Sequence, residues 1–197
     1  SLGILLNYPT NAQVLLNNKV VSISDAPLYD KQDVVCGFIG GGNYASRILI
    51  PAFKESGAKL DTLLTSGGVS AVHHGKKNGF ANASTDLTQL LDNKAVNTVV
   101  IATQHNLHAE QTIQSINAGK NVFVEKPLAL NHVELDAIET AYNEQEGKCR
   151  IMVGYNRRFA PQIIKMKAML ENVTEPKAFI MTMNAGAIPS EHWTQDP

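Results

Sequence analysis

Between Val34 and Ser46 an apolar run, Val34-Val35-Cys36-Gly37-Phe38-Ile39, passes through three consecutive glycines, Gly40-Gly41-Gly42, into the helical pattern opening with Asn43-Tyr44-Ala45-Ser46. β-Branched and aromatic residues suit a buried strand. Glycines permit a turn too tight for side chains and let another group approach the backbone closely. Gly40-x-Gly42-x-x-Ala45 therefore has the form of a strand-to-helix turn whose backbone amides can receive a pyrophosphate. The same glycines would also serve a tight connection that binds nothing, so the rest of the chain must decide between the two.

Beyond this turn the hydrophobic period keeps switching. Residues 43–56 place Ala45, Ile48, Leu49, Ala52 and Phe53 on one helical face with Gly57 as the stop, and Pro51 predicts a lost hydrogen bond and a kink. A strand is predicted at 60–65, short helices at 69–77 and 86–91, and a strand buried on both faces at 97–102. A helix at 107–118 closes at Gly119, a strand follows at 122–124, and Asn131 with Glu134 gives a capping-box start to a helix over 131–146. A last strand is expected at 150–154 and a further helix at 158–170. Such alternation predicts an α/β fold: a doubly wound parallel sheet of the Rossmann type, with helices on both faces and ligands at the carboxyl ends of its strands.

The nucleotide-binding domain is expected over residues 33–154. Residues 1–32, with the apolar runs Ile4-Leu5-Leu6 and Val20-Val21-Ser22-Ile23 around Asn- and Pro-containing turns, read as a hairpin or linker. The chain starts without Met and stops at Asp196-Pro197, as expected of a piece of a longer polypeptide. Its 197 residues, 44% of them hydrophobic, suffice for one core and part of a second. A net charge of −1 offers no general attraction to nucleic acid or anionic membrane, and the apolar stretch at 96–102 is too short to span a bilayer. Neither is an expected partner. Cys36 and Cys149 lack metal-ligand spacing and fit small core residues of a reduced protein; with no cleavable leader, a cytoplasmic location is expected.

Two further loops should leave the sheet on the side of the glycine turn. Thr103-Gln104-His105-Asn106-Leu107-His108 follows one predicted strand and Glu125-Lys126-Pro127 another. A lysine at the mouth of a sheet can be partly desolvated, which lowers an ammonium pKa and eases proton exchange near neutrality. The plain alternative is a solvated Glu-Lys pair held by proline. His105 and His108 are three residues apart without a third ligand, so capping or contacts to a cofactor ribose are expected there and no metal. His73 and His74, beside Lys76 and Lys77, read as a solvated helix face.

The ordered set of glycine turn, Ala-Thr-x-x-Asn-x-His, and Gly119-Lys120-x-Val122-x-Val124-Glu125-Lys126-Pro127-Leu128 resembles the glucose-fructose oxidoreductase, inositol dehydrogenase and rhizopine-catabolism (Gfo/Idh/MocA) family of NAD(P)-dependent oxidoreductases, from about Val34 to the end of the chain. The resemblance implies that Lys126 contacts the reacting hydroxyl or carbonyl oxygen and helps move its proton, while Glu125 braces the cofactor. It implies a second, α+β substrate domain that begins near residue 155 and is truncated here, with its first strand over 177–184, and which carries a possible homo-oligomer contact. A carboxylate and a histidine completing the family's site are expected beyond Pro197; His192 beside Trp193 reads as a packing or exposed residue. The stretch Gly154-Tyr155-Asn156-Arg157-Arg158-Phe159-Ala160-Pro161, followed by Asn184-Ala185-Gly186-Ala187-Ile188-Pro189, is similar to a branch fused behind a zinc-binding alcohol-dehydrogenase-like module, whose tail or linker residues 1–32 would then be. Arg157 is expected to reach a cofactor carboxamide or polar substrate, and Arg158 to cap or solvate the next helix.

NAD-selective sites usually carry Asp or Glu at the end of the second strand. Thr65 and Ser66 stand there instead. A hydroxyl beside the amides of Gly67 and Gly68 tolerates a 2′-phosphate, with Lys76 or Lys77 expected to pair with it, so the NAD(P) cofactor leans toward NADP. The candidate site is Lys126 as catalytic group and, against the cofactor, Gly40, Gly42, Asn43, Tyr44, Ala45, Ser66, Thr103, His105, Asn106, His108, Glu125, Lys126 and Arg157. The expected activity is hydride transfer to or from a sugar, amino-sugar or polyol carbon, by analogy in polysaccharide synthesis. The alternatives are a non-catalytic dinucleotide-binding module that regulates or scaffolds a fused dehydrogenase, and a cofactor domain serving chemistry in an upstream module.

Overall fold

A computed structural model describes residues 19–190 apart from 26, 183 and 185. The chain divides into two compact units, Ser1–Tyr155 and Asn156–Pro197. Strands β1 (Val20–Ser22), β2 (Val35–Ile39), β3 (Lys59–Leu64), β4 (Asn82–Ser84), β5 (Thr98–Ile101), β6 (Asn121–Glu125) and β7 (Ile151–Gly154) make one sheet in the order β1-β4-β3-β2-β5-β6-β7. From β4 to β7 all pairings are parallel, in the doubly wound 3-2-1-4-5-6 order counted from β2. The Rossmann expectation is met.

Side-chain alternation splits the core into two layers. Val35 and Ile39 of β2 join Val99 and Ile101 of β5 beneath α3 (Leu87–Asp92), α4 (His108–Asn117) and α5 (His132–Glu144). Cys36, Phe38 and Val100 face the opposite way, onto Leu49 and Ile50, where a π-helical turn (Ala45–Leu49) runs into α1 (Ile50–Glu55). Phe38 meets Phe53 and Phe80 edge-on at 5.4 and 5.6 Å, and each fully buried apolar side chain of this kind contributes about 2 kcal/mol. The kink expected at Pro51 takes the form of a register change. Ile50 donates to Ala45, five residues back, and Pro51, which has no N–H, sits at the start of the α-helical stretch. Asn131 and Glu134 form the expected capping box: Glu134 N donates to Asn131 Oδ1 at 2.9 Å, while Leu130 N donates to Glu134 Oε2 at 2.8 Å.

Three sequence expectations change. Val20–Ser22 pairs antiparallel with β4 as an edge strand of the sheet, a partner that the sequence reading did not give it. β4 itself, three residues of Asn, Ala and Ser, carries no strand propensity and forms because β3 and β1 flank it. Among the described residues of 177–184 there is no strand, because no neighbouring strand accepts its ladder. The second unit, taken by itself, contains a 3-10 turn (Asn156–Phe159) and α6 (Pro161–Met169). Ile4-Leu5-Leu6, His192 and Trp193 lie outside the described residues. No helix among the described residues is long and apolar enough to cross a membrane.

Candidate functional site

Parallel register puts the loops in one row. Ile39 pairs with both Leu64 and Ile101, Ile101 with Val124, and Glu125 with Gly154, so the chain leaves the sheet at Gly40, Thr65, Ala102, Lys126 and Tyr155 along a single edge. Strand order reverses between β2 and β5, and a doubly wound sheet opens a crevice at that point.

The glycine turn stands at the reversal. Gly40 has φ +99°, and a Cβ there would lie 2.4 Å from the Ala102 carbonyl oxygen, so only glycine lets the two loops approach this closely. Gly42 is the opposite case: among the described residues a Cβ would meet nothing within 4 Å, which leaves room for a ligand against the backbone. Ser46 N donates to Gly42 O at 2.9 Å, so the helix starts at once and its first amides face this opening. Asn43 and Tyr44 are exposed along it, while Ala45 is buried and packs the turn onto the sheet.

At the β5 loop, Thr103 Oγ1 donates to Gln111 Oε1 at 2.7 Å. His105 begins a 3-10 turn that leads into α4, and Asn106 is exposed. His108, 1% exposed, lies between loops: Nδ1 is 2.6 Å from the Pro127 carbonyl oxygen and Nε2 3.2 Å from that of Thr103. Both ring nitrogens thus face protein carbonyls, and the ring is buried from solvent. The half-buried His105 ring stands 5.7 Å from the His108 ring; burial, then the charges of Lys126 and His108, hold its pKa below the usual imidazole value.

Glu125 ends β6 with Oε1 buried and without a hydrogen-bond partner among the described residues. Burial pushes its carboxyl above the ordinary range, against the opposing pull of the Lys126 amide and the Lys126 and His108 charges. Lys126 is exposed, so this domain alone does not supply the partial desolvation expected of it. The Lys126–Pro127 peptide is cis. An orphaned buried acceptor two strands along the same edge from an open glycine turn fits a ligand that brings both hydroxyl donors and phosphates, as a dinucleotide does.

Ser66 is exposed, and Gly67 caps α2 (Gly68–Asn78) with no side-chain bond to its amides. The hydroxyls of Thr65 and Ser70 both donate to the Gly67 carbonyl, at 2.7 Å. Lys76 and Lys77 lie in the last turn of α2. At 1.5 Å per residue they stand about 12 Å along the helix from Ser66's end, too far to pair with a 2′-phosphate there. His73 and His74 pack only on each other among the described ring contacts. In the second unit Arg157 is exposed and the Arg158 guanidinium lies 5.4 Å from the Phe159 ring. Among the described residues no group of His, Cys, Asp and Glu could hold a metal. Gln111 and Gly154 are parts of the site that the sequence does not announce. Nothing in a helix sequence tells which glutamine meets a threonine eight positions back, and Gly154 becomes meaningful only once its strand lies beside Glu125.

A family model for oxidoreductases with an NAD-binding Rossmann fold (Gfo/Idh/MocA) matches residues 34–155. The chain belongs to that family. Within it, the chain is 32% identical over 137 residues to oxidoreductase P35 of Formosa agariphila, covering 69% of this chain and 42% of that protein. It is 29% identical over 164 residues to levoglucosan dehydrogenase of Pseudarthrobacter phenanthrenivorans, covering 82% of this chain and 40% of that one. Its fold matches KijD10, a 3-ketoreductase of Actinomadura kijaniata solved with TDP-benzene and NADP, with a TM-score of 0.65 at 22% identity over 71% of this chain and 44% of that one. This member of the Gfo/Idh/MocA family thus spans less than half the length of these relatives.

Proposed function

We propose that the protein containing this chain transfers a hydride between NAD(P) and a carbon of a sugar, amino sugar or polyol. One observation carries the reading: Glu125 Oε1 is a buried acceptor with no donor among the described residues, next to Lys126 and in the same row as the open glycine turn. A bound nicotinamide dinucleotide supplies the site for the hydride. The amides behind Gly42 and at Asn43 and Tyr44 receive its pyrophosphate. Glu125 accepts from a cofactor hydroxyl, with Thr103, His105 and Asn106 lining the same rim. The Lys126 ammonium hydrogen-bonds the reacting oxygen and carries its proton. Orientation is the main contribution of such residues, because a near-attack geometry accounts for much of the rate.

NADP is favoured over NAD, since Thr65 and Ser66 place no carboxylate against a 2′-phosphate and the N-terminus of α2 has no side-chain cap. The relative named for levoglucosan supports the sugar class. Association through the second domain is part of the proposal, supported by the exposure of Phe179, Ile180 and Met181. So is an upstream zinc-binding module, which the full reading frame tests. Cytoplasmic residence is proposed as well, and fractionation of cells checks it.

The experiment uses the full-length protein, with calorimetric titration by NAD and NADP and assays on levoglucosan, myo-inositol and a nucleotide-linked sugar. Lys126→Ala is expected to lower kcat by about 10²–10⁴-fold while cofactor affinity holds. Retained turnover removes Lys126 from the mechanism. Cofactor binding without turnover of any substrate favours the second reading, a module that binds dinucleotide but performs no chemistry, which the exposure of Lys126 also suits.

A further inference from the structure

We propose that His108 is a positioning residue for the reaction proposed above, on which this inference rests: a strut joining two loops that sets where the Lys126 amine stands. The ring is 1% exposed at the start of α4, so packing fixes it before any ligand arrives. Nδ1 lies 2.6 Å from the carbonyl oxygen of Pro127, the residue directly after Lys126, and Nε2 3.2 Å from that of Thr103. Both partners only accept, and the rigid imidazole spans a constant distance between its nitrogens. In the neutral ring the one N–H goes to the shorter contact, at Pro127, and Nε2, then without a proton, only packs against the Thr103 carbonyl. Thr103 is tied to α4 a second time, through Gln111 Oε1 at 2.7 Å.

Lys126 is thereby anchored on both sides. Before it, the β6–β7 ladder ends at the Glu125–Gly154 pair; after it, Pro127 hangs on His108. The exposed side chain between them inherits its origin from those two anchors. A displacement of about 1 Å at a group that must meet a reacting atom can cost about 10²-fold in rate.

The test follows the Lys126 amine directly in the full-length protein, by mass spectrometry of reductive methylation with NADP absent and present. His108→Leu should change the Lys126 labelling rate by about five-fold or more and leave exposed Lys148 unchanged, whereas His108→Asn, whose amide can replace the Nδ1 donor, should stay within about two-fold of wild type. Labelling of Lys126 in His108→Leu within two-fold of wild type overturns the proposal. If His108→Leu does not fold, His108→Gln takes its place: its longer amide misses the Pro127 oxygen, and wild-type labelling there overturns the proposal equally.

Turnover then separates this inference from the reading beneath it. In a Lys126→Ala background, His108→Leu should cost less than about two-fold further in kcat, because its effect passes through the missing amine. Additive losses overturn the positioning role while leaving Lys126 catalytic. Unchanged turnover in Lys126→Ala alone overturns both.

Discussion

Glu125 and Gly154 face each other across the last parallel ladder so closely that a Cβ on the glycine would stand 2.7 Å from Glu125 Oε1 and 3.2 Å from the Phe123 ring. The absence of a side chain at Gly154 is what lets the carboxylate lie over the sheet edge. Gly154 thus shapes the site without touching a ligand.

Gly154→Ala is expected to cost about 1 kcal/mol of stability, since the nearest atom is the end of a side chain that can swing aside. The swing takes the carboxylate with it. Calorimetry with NAD(P) should show at least several-fold weaker binding in a protein that still unfolds cooperatively, with a urea midpoint lower by no more than about 1 M.

Glu125→Gln should stabilise the ligand-free fold at neutral pH. Burial raises the carboxyl's folded pKa, so the associated stability is full below the unfolded value and is lost as pH rises through the folded one. Thermal midpoints of variant and wild type should coincide near about pH 4 and separate at about pH 7, with the variant higher. A lower midpoint for the variant at pH 7 would contradict this, and weakened cofactor binding should accompany the gain.

The two outer glycines of the turn should fail in different ways. Gly40→Ala combines a positive φ with a backbone clash at Ala102 and should cost about 2–4 kcal/mol in urea denaturation. Gly42→Ala meets no atom of the described residues within 4 Å, so stability should change by less than about 0.5 kcal/mol while dinucleotide binding is lost. Equal stability losses in both would argue against a ligand beside Gly42.

Far from this edge, β3 bulges where Cys36 pairs with Leu60 but Gly37 with Thr62, leaving Asp61 as the extra residue. Its buried carboxylate accepts from Tyr29 Oη at 3.0 Å, Thr62 Oγ1 at 2.6 Å and Asn93 Nδ2 at 2.9 Å. Burial, then the Asp61 charge and hydrogen bond, hold the Tyr29 phenol above its ordinary value of 10.0. Stability from this pair is therefore present below pH 10 and declines as pH rises beyond it. Tyr29→Phe should cost about 1 kcal/mol at about pH 8, and its deficit against wild type should shrink by about pH 11.

Periodicity was enough to place most of the sheet. The runs at Val35–Ile39 and Thr98–Ile101 are apolar on both faces, and such runs settle only between two helical layers. Asn131 and Glu134 marked a helix start because their bonds are local. Local signals failed where partners are distant. Val20–Ser22 pairs with residues sixty or more positions on, Lys76 and Lys77 sit at the far end of a helix whose length along the axis a linear reading did not convert into distance, and a strand at 177–184 had nothing to pair with among the described residues.

Which residues could form a dinucleotide turn, and which lysine follows a buried strand, was already determined by the order of glycines, β-branched runs and charged loop residues, because those preferences act over a few bonds. Only the tertiary structure decided that Gly40 must clear the Ala102 carbonyl, that Glu125 keeps an unpaired oxygen over Gly154, and that His108 turns inward to hold Pro127. Each depends on parallel register between strands far apart in the chain. Register is set by how the whole core packs and has no counterpart in any single segment.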